Sequence, residues 1–412
     1  MTRRRVVVTG VGAVTPLGVG REALWDGVLR GRSAIRALDR FDPRPFPSRV
    51  AAQIDDFVPT DHLDARRARR LDRFSQLAVA AARLAVEDAR LQAPNGDAGR
   101  VGVFIGSALG GVAFAEEQHS GYLSGGARAV VPTLATAVFG GAGAANVAMD
   151  LGVVGPAVGN ANSCAAGTVA VGQAFEAIRG GALDVALAGG AEAPLAPLTF
   201  GAFAMIGVLS RRNDDPAHAS RPFDRDRDGF VMGEASAVLV LEDARRAARR
   251  GADVLAEVVG YAASNDAFHM TAPRPDGREA ARAISLALTD AALEPDAIGY
   301  VNAHGSSTRL NELAETAALH AALGTHGRRV PVSGTKGLYG HPLGASGAIE
   351  AAITTLALSR GVLPGTCNLE TLDPACDLNV LAAPQAARPE AALSTSFGFG
   401  GMNAALVLRR VD

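Results

Sequence analysis

One nine-residue pattern occurs twice, 167 positions apart, and it constrains the fold more than any other feature of the chain. Gly233-Glu-Ala-Ser-Ala-Val-Leu-Val-Leu241 and Gly400-Gly-Met-Asn-Ala-Ala-Leu-Val-Leu408 share Gly, Ala and a closing Leu-Val-Leu at the same offsets. Solenoid repeats run to roughly 20–50 residues, so a period this long predicts two copies of one α/β domain instead. Such copies stack in layers, with strands covered on both faces that read as continuous apolar runs. A chain of 412 residues, 48% hydrophobic, is long enough for two cores. The joint is placed in the charged, Gly-containing stretch Arg250–Asp253, which gives an N-terminal half 1–252 and a C-terminal half 253–412.

The grammar of the two halves agrees. Apolar β-branched runs predict strands at Val6–Val8, Val101–Ile105, Asp184–Ala188, Ile298–Ala303 and Val330–Ser333. Helical spacing is present over 65–91 (Leu71, Phe74, Leu77, Ala78, Ala81, Leu84), over Ala165–Arg179, where Gly180-Gly181 stops it, and over Ala345–Ser359. Gly10-x-Gly12 after the first strand hints at a dinucleotide fingerprint, but Thr15 stands where the third glycine belongs, which weighs against it. The formal net charge of −2 argues against a nucleic-acid partner. The three cysteines, Cys164, Cys367 and Cys376, form neither a C-x-x-C pair nor a zinc spacing, so no metal is expected and a reducing cytosol is. The basic start Met1–Arg5 is followed only by Val6–Val8, too short for a signal peptide or a span, and the expectation is a soluble cytoplasmic protein with no membrane partner.

Few residues can do chemistry. Cys164 sits in Gly159-Asn-Ala-Asn-Ser-Cys-Ala-Ala-Gly167, between a strand and a helix. A cysteine at a helix N-terminus feels the positive end of the backbone dipole, which favours the nucleophilic thiolate; a buried packing cysteine is the competing reading. His304 follows a strand in Val301-Asn-Ala-His-Gly-Ser-Ser-Thr308, where it can face a pocket or simply be a satisfied core histidine. His341 lies in the glycine-rich Lys336-Gly-Leu-Tyr-Gly-His-Pro-Leu-Gly-Ala-Ser-Gly347. Lys336 is the only lysine in a chain that otherwise uses arginine, which suggests a need for a compact ammonium, with Glu350 as a plausible partner. Cys, His, His and Lys, each on a small-residue turn, make a rarer coincidence than any one alone. A cysteine protease has no use for the lysine.

Longer segments carry a resemblance. Arg5-Val-Val-Val-Thr-Gly-Val-Gly-Ala-Val-Thr-Pro-Leu-Gly18, Arg221-Pro-Phe-Asp-Arg-Asp-Arg-Asp-Gly-Phe-Val-Met-Gly-Glu234, Asn302-Ala-His-Gly305, Gly340-His-Pro-Leu-Gly-Ala-Ser-Gly-Ala-Ile-Glu350 and Ser396-Phe-Gly-Phe-Gly-Gly401 resemble the β-ketoacyl-acyl-carrier-protein synthase II type. Nearly the whole chain is covered. The resemblance implies the thiolase fold, two related βαβαβαββ-type halves stacked in alternating α and β layers. It also implies a decarboxylative Claisen condensation: Cys164 takes an acyl group from a carrier-protein thioester, and malonyl-carrier protein extends it by two carbons. By the same resemblance His304 and His341 assist decarboxylation and hold the enolate oxygen, while Lys336 with Glu350 orders the site. The N–H groups of Cys164 and Phe399 form the oxyanion hole, and Phe399 is also a gate. Ser306 and Thr308 hold the phosphopantetheine arm, and Leu109, Phe203 and Phe399 line the acyl pocket. Arg66, Arg67, Arg69 and Arg70, and separately Arg211 and Arg212, are candidate docking residues for the acidic carrier protein; a solvated helix face is the competing reading. No cofactor is implied beyond the carrier's arm.

The departures bear on pathway. Where fatty-acid members read His-Gly-Thr-Ser-Thr-Pro-x-Gly-Asp, this chain has His304-Gly-Ser-Ser-Thr-Arg-Leu-Asn-Glu312. Asn162-Ser-Cys-Ala-Ala166, Ala235 and Met402 also differ from the usual residues. They lean towards a dissociated (type II) polyketide or polyene pathway, in which the ketosynthase pairs with a homologous chain-length-factor subunit; the housekeeping fatty-acid enzyme is a homodimer. A non-catalytic chain-length partner usually lacks the nucleophile, so Cys164 argues against that reading. A thiolase needs a second cysteine near the C-terminus, and a chalcone-synthase-like enzyme replaces the second histidine by asparagine.

Overall fold

The computed structural model describes residues 3–92 and 98–411; Met1 and Thr2 of the basic start lie outside them. Two copies of a βαβαβαββ unit follow one another. The first comprises β1 (Val6–Thr15), α1 (Arg73–Asp88), β2 (Val101–Gly106), α2 (Ala142–Leu151), β3 (Ala157–Asn160), α3 (Ala166–Arg179), β4 (Val185–Glu192) and β5 (Ala235–Asp243). The second comprises β6 (Ala256–Asn265), α4 (Arg278–Ala291), β7 (Ile298–Asn302), α5 (Arg309–Leu323), β8 (Pro331–Ser333), α6 (Ser346–Arg360), β9 (Ala391–Gly398) and β10 (Met402–Arg409). Strand order is β1-β5-β4-β2-β3 in one half and β6-β10-β9-β7-β8 in the other. The halves join where β1 and β6 pair antiparallel, Val6 opposite Val258 and Val8 opposite Ala256.

Five layers result. α1 and α2 cover the outer face of the first half, and α4 with α5 the outer side of the second. α3 and α6 lie between the halves, touching each other and strands of both. The repeated nonapeptides are β5 and β10, and their alternation explains the repeat. Leu239, Leu241, Leu406 and Leu408 point into the shared central core. Val240 points to the outer core of its own half, and Val407 to that of the other. The two central helices cross closely: a Cβ on Gly347 would stand 1.9 Å from the Thr168 hydroxyl.

Two expectations change. β1 runs through Gly10-x-Gly12 instead of ending there, because these glycines admit α1: a Cβ on Gly12 would lie 2.0 Å from the Ala81 carbonyl oxygen. Their role is close strand–helix packing, not a phosphate turn. The helix expected over 65–91 is interrupted after a single turn, Ala65–Ala68, and restarts at Arg73. Asp72 is the reason, since its carboxylate caps the new start by accepting from the Phe74 N–H. Among the described residues no helix is long and apolar enough to cross a membrane.

Leu406 is fully buried in the central core. Leu406→Ala is expected to lower unfolding stability by about 2–5 kcal/mol, read as a lower urea midpoint. An unchanged midpoint would contradict the shared central layer.

Candidate active site

Each candidate side chain stands at the end of a strand or the start of a central helix. Cys164 lies in the turn Ser163–Ala165 just ahead of α3, with Ser163 held at φ +47°. His304 follows β7, and Gly305 and Ser307 after it have φ +43° and +70°. Lys336 follows β8, and His341 precedes α6. The pseudo-symmetric crossing of α3 and α6 therefore brings chemistry from both halves to one place.

These side chains line, or lie directly beneath, one pocket. Cys164, His304 and His341 share its wall with Phe203, Phe230, Leu343, Phe397 and Phe399, and the cavity measures about 210 Å³. The imidazoles of His304 and His341 meet edge to face, centroids 5.3 Å apart. Phe203 and Phe399 stack at 6.1 Å. Lys336 is wholly enclosed beneath His304: its ammonium contacts the His304 Nδ1 at 3.3 Å, donates to the His304 carbonyl oxygen and is paired with Glu350. The His341 Nδ1 is bonded to the Ser346 hydroxyl at 2.7 Å.

Electrostatics follow from burial. Both imidazoles titrate well below the ordinary histidine value, because burial and the nearby Lys336 ammonium disfavour a second cation, so both are neutral. Burial pushes the Glu350 carboxyl up while Lys336 opposes it. Cys164 is half-buried. Burial pushes its thiol up to about 12, against the opposing pull of Lys336 and of the Phe399 N–H bonded to the sulphur. The sequence places Cys164 correctly ahead of a helix, and there burial raises the thiol against the pull of Lys336 and the Phe399 N–H.

The other expected residues fall out unevenly. Ser306 and Thr308 line the same pocket, their hydroxyls 2.9 Å apart. Leu109 packs in the apolar cluster that also receives Cys164 and Phe203, behind the open pocket. Arg211 donates its backbone N–H to the pocket-lining Asp228 at 2.9 Å, and Arg212 reaches the Asp226 carbonyl, so this pair sits beside the lining. Arg66, Arg67, Arg69 and Arg70 are on and after the isolated turn Ala65–Ala68, and none lines the pocket. Arg67 is tied to Asp150 and the Asn146 carbonyl, which leaves Arg66, Arg69 and Arg70 exposed. Among the described residues no cluster of three or more His, Cys, Asp or Glu side chains could hold a metal ion.

Sequence reasoning passed over the carboxylates that hold the turns. Glu315 accepts the N–H groups of His304 and Gly305 at 2.7 and 2.9 Å, together with the Thr395 hydroxyl at 2.8 Å. Glu192 accepts the N–H groups of Ala108, Leu109 and Gly344, tying the two halves together. A signal for Glu315 was present: Glu312 and Glu315 occupy the same helical stripe as Leu319, an apolar face where acids need partners. His269 also lines the pocket and was not singled out.

Known proteins match throughout. Residues 3–247 match the family model described as beta-ketoacyl synthase, N-terminal domain, and residues 255–370 match its C-terminal domain. The chain is 44% identical over 411 residues to 3-oxoacyl-[acyl-carrier-protein] synthase 2 of Synechocystis, covering 100% of this chain and 99% of the relative. It is equally 44% identical, over 427 residues, to the tetracenomycin polyketide synthase ketoacyl synthase alpha subunit of Streptomyces glaucescens, covering 100% and 99%. Among solved structures it is similar to the ketosynthase of a type II polyketide synthase in complex with its acyl-carrier protein, with TM-score 0.92, 34% identity, and 99% and 100% of the two chains covered. The ishigamide ketosynthase/chain length factor gives TM-score 0.93 at 35% identity, with both chains covered completely.

A thiol pushed up to about 12 is mostly protonated at neutral pH, and its thiolate fraction rises about tenfold per pH unit below that value. Iodoacetamide labelling of Cys164 is therefore expected to accelerate steadily from pH 6 to 9. A plateau starting near pH 7, followed by peptide mass, would contradict the assigned electrostatics.

Proposed function

The chain belongs to the beta-ketoacyl synthase family, and from that premise we propose how its residues carry out ketosynthase chemistry. The protein is a ketosynthase: an acyltransferase that condenses malonyl-acyl-carrier protein with a bound acyl chain. The observation that carries the residue assignment is the convergence of Cys164, His304 and His341 on one pocket over the buried Lys336.

The Cys164 sulphur attacks the carbonyl carbon of the acyl thioester. A C–S bond to Cys164 forms, the C–S bond to the carrier's arm breaks, and the arm leaves as a thiol with the Cys164 proton. The Cys164 and Phe399 N–H groups receive the oxyanion; the bond from the Phe399 N–H to the sulphur supports this placement. Malonyl thioester then enters. Its C–C bond to the carboxylate breaks, carbon dioxide leaves, and the electron pair moves into an enolate. With Lys336 donating to Nδ1, His304 keeps its proton on Nε2, so a neutral imidazole offers an N–H to the enolate oxygen. His341, held through Nδ1 by Ser346, acts beside it. The enolate carbon attacks the acyl-Cys164 carbonyl, and the tetrahedral intermediate expels the Cys164 thiolate. The steps use side chains, backbone N–H groups and the substrate's own carboxylate, and the reading includes no cofactor beyond the carrier's arm. Phe399 is the gate, and Phe203 and Leu109 bound the acyl chain.

The pathway we propose is type II polyketide or polyene assembly in the cytoplasm by a soluble protein, supported by the departures around His304 and Cys164. The partner subunit is a homologous ketosynthase-fold chain. The sheet ends at β3, whose residues are alternately exposed, and an unpaired edge is a natural pairing surface. Equal identity to the Synechocystis synthase favours a second reading, a fatty-acid synthase II acting as a homodimer.

Wild-type protein given acyl- and malonyl-carrier thioesters is expected to release one carbon dioxide per β-keto product two carbons longer. His304→Ala and His341→Ala should each slow condensation by about 10²–10³-fold while Cys164 still accepts the acyl group. Equal loss of acylation and condensation in both variants would contradict the division of labour. Turnover that needs an added homologous subunit favours the polyketide reading; full turnover by this chain alone favours the other.

A further inference from the structure

From His304 to Arg309 the chain climbs out of the pocket in order. His304 and Ser306 are buried, Thr308 is half-buried, and Arg309 is exposed at the first position of α5, yet all four line the same cavity. The Arg309 backbone is fixed, its carbonyl accepting from Arg227. Its guanidinium differs from most arginines of this protein, which are paired: among the described residues it has neither a hydrogen-bond nor an ion-pair partner. The pocket's two lining carboxylates do not claim it. Asp266 is taken by Asn403 and by the Arg274 N–H, and Asp228 holds the Arg211 N–H.

We propose that Arg309 binds the phosphate of the carrier's phosphopantetheine arm at the pocket mouth. The proposal rests on the condensing-enzyme reading and adds to it a residue and a ligand group. The arm has a fixed chemical order: thioester, two amides, a gem-dimethyl carbon and then the phosphate. Against this ladder the thioester meets Cys164 and the histidines, the amides meet the hydroxyls of Ser306 and Thr308, and the next residue outward meets the phosphate. Leu310 and Met270, both exposed on the same lining, suit the gem-dimethyl group. A planar guanidinium matches a phosphate through paired N–H donors better than an ammonium does.

The test compares two malonyl thioesters that differ only in the phosphate, phosphopantetheine and pantetheine, with wild-type protein, Arg309→Ala and Arg309→Lys. Arg309→Ala is expected to raise KM for the phosphorylated thioester roughly tenfold, with kcat within about twofold and no matching rise for the pantetheine thioester. Arg309→Lys should recover part of the loss, and added salt should shrink the wild-type preference. Equal shifts for both thioesters, or no shift for either while the wild type turns over, would overturn the phosphate assignment alone. A wild type that condenses neither thioester nor the carrier-borne substrate overturns the underlying reading and this proposal with it.

Discussion

The ammonium of Lys336, sealed under the pocket floor, is the interaction on which the site depends. Removing an ammonium and a carboxylate from water costs several kcal/mol for each ion, roughly, and their attraction offsets this only when the remaining polar atoms are also satisfied. Lys336 meets that condition with three partners, namely Glu350, the His304 carbonyl oxygen and the His304 imidazole, whereas the second Glu350 carboxylate oxygen is buried without a hydrogen bond. One fixed positive charge then adds to burial in setting the state of the groups above it. After burial, the larger cause, it helps keep both histidines neutral, defines which imidazole nitrogen of His304 accepts, and opposes the desolvation that raises the Cys164 thiol. A guanidinium is larger and flatter, which gives a physical reason for the only lysine of the chain to stand here.

The fold delivers these groups by duplication. Each half ends its parallel strands at the same level, and the central helices α3 and α6 start there, so Cys164 arrives from one copy and His341 from the other. Buried carboxylates then hold the turns by accepting several backbone N–H groups at once, Glu192 across the two halves and Glu315 beneath His304. Turns held this way are rigid, and rigid donors stabilise developing charge without reorganising at the moment of reaction.

Much of this was legible in the sequence because it rests on local or rare signals. The repeated nonapeptide announced the two halves, and its Leu/Val alternation mapped directly onto the shared and outer cores. Cysteine, histidine and a solitary lysine stood out against an Ala- and Arg-rich background. The failures were non-local. Gly10 and Gly12 looked like a turn because the helix packed on them lies some 70 residues away in the chain. The thiol's resting state depends on enclosure by segments that no local pattern reveals. Glu192 was invisible as a site residue because most of its partners are backbone N–H groups, and its separation from Gly344 is 152 positions.

In the proposed mechanism everything turns on Cys164 carrying the acyl chain as a thioester. The most direct measurement is the mass of the Cys164 peptide after brief exposure of the protein to acyl-carrier protein without malonyl substrate. A mass increase equal to the acyl group minus one hydrogen, confined to that peptide and removed by hydroxylamine, is the predicted result. An unmodified Cys164 peptide, or an acyl group found on Cys367 or Cys376 instead, would contradict it.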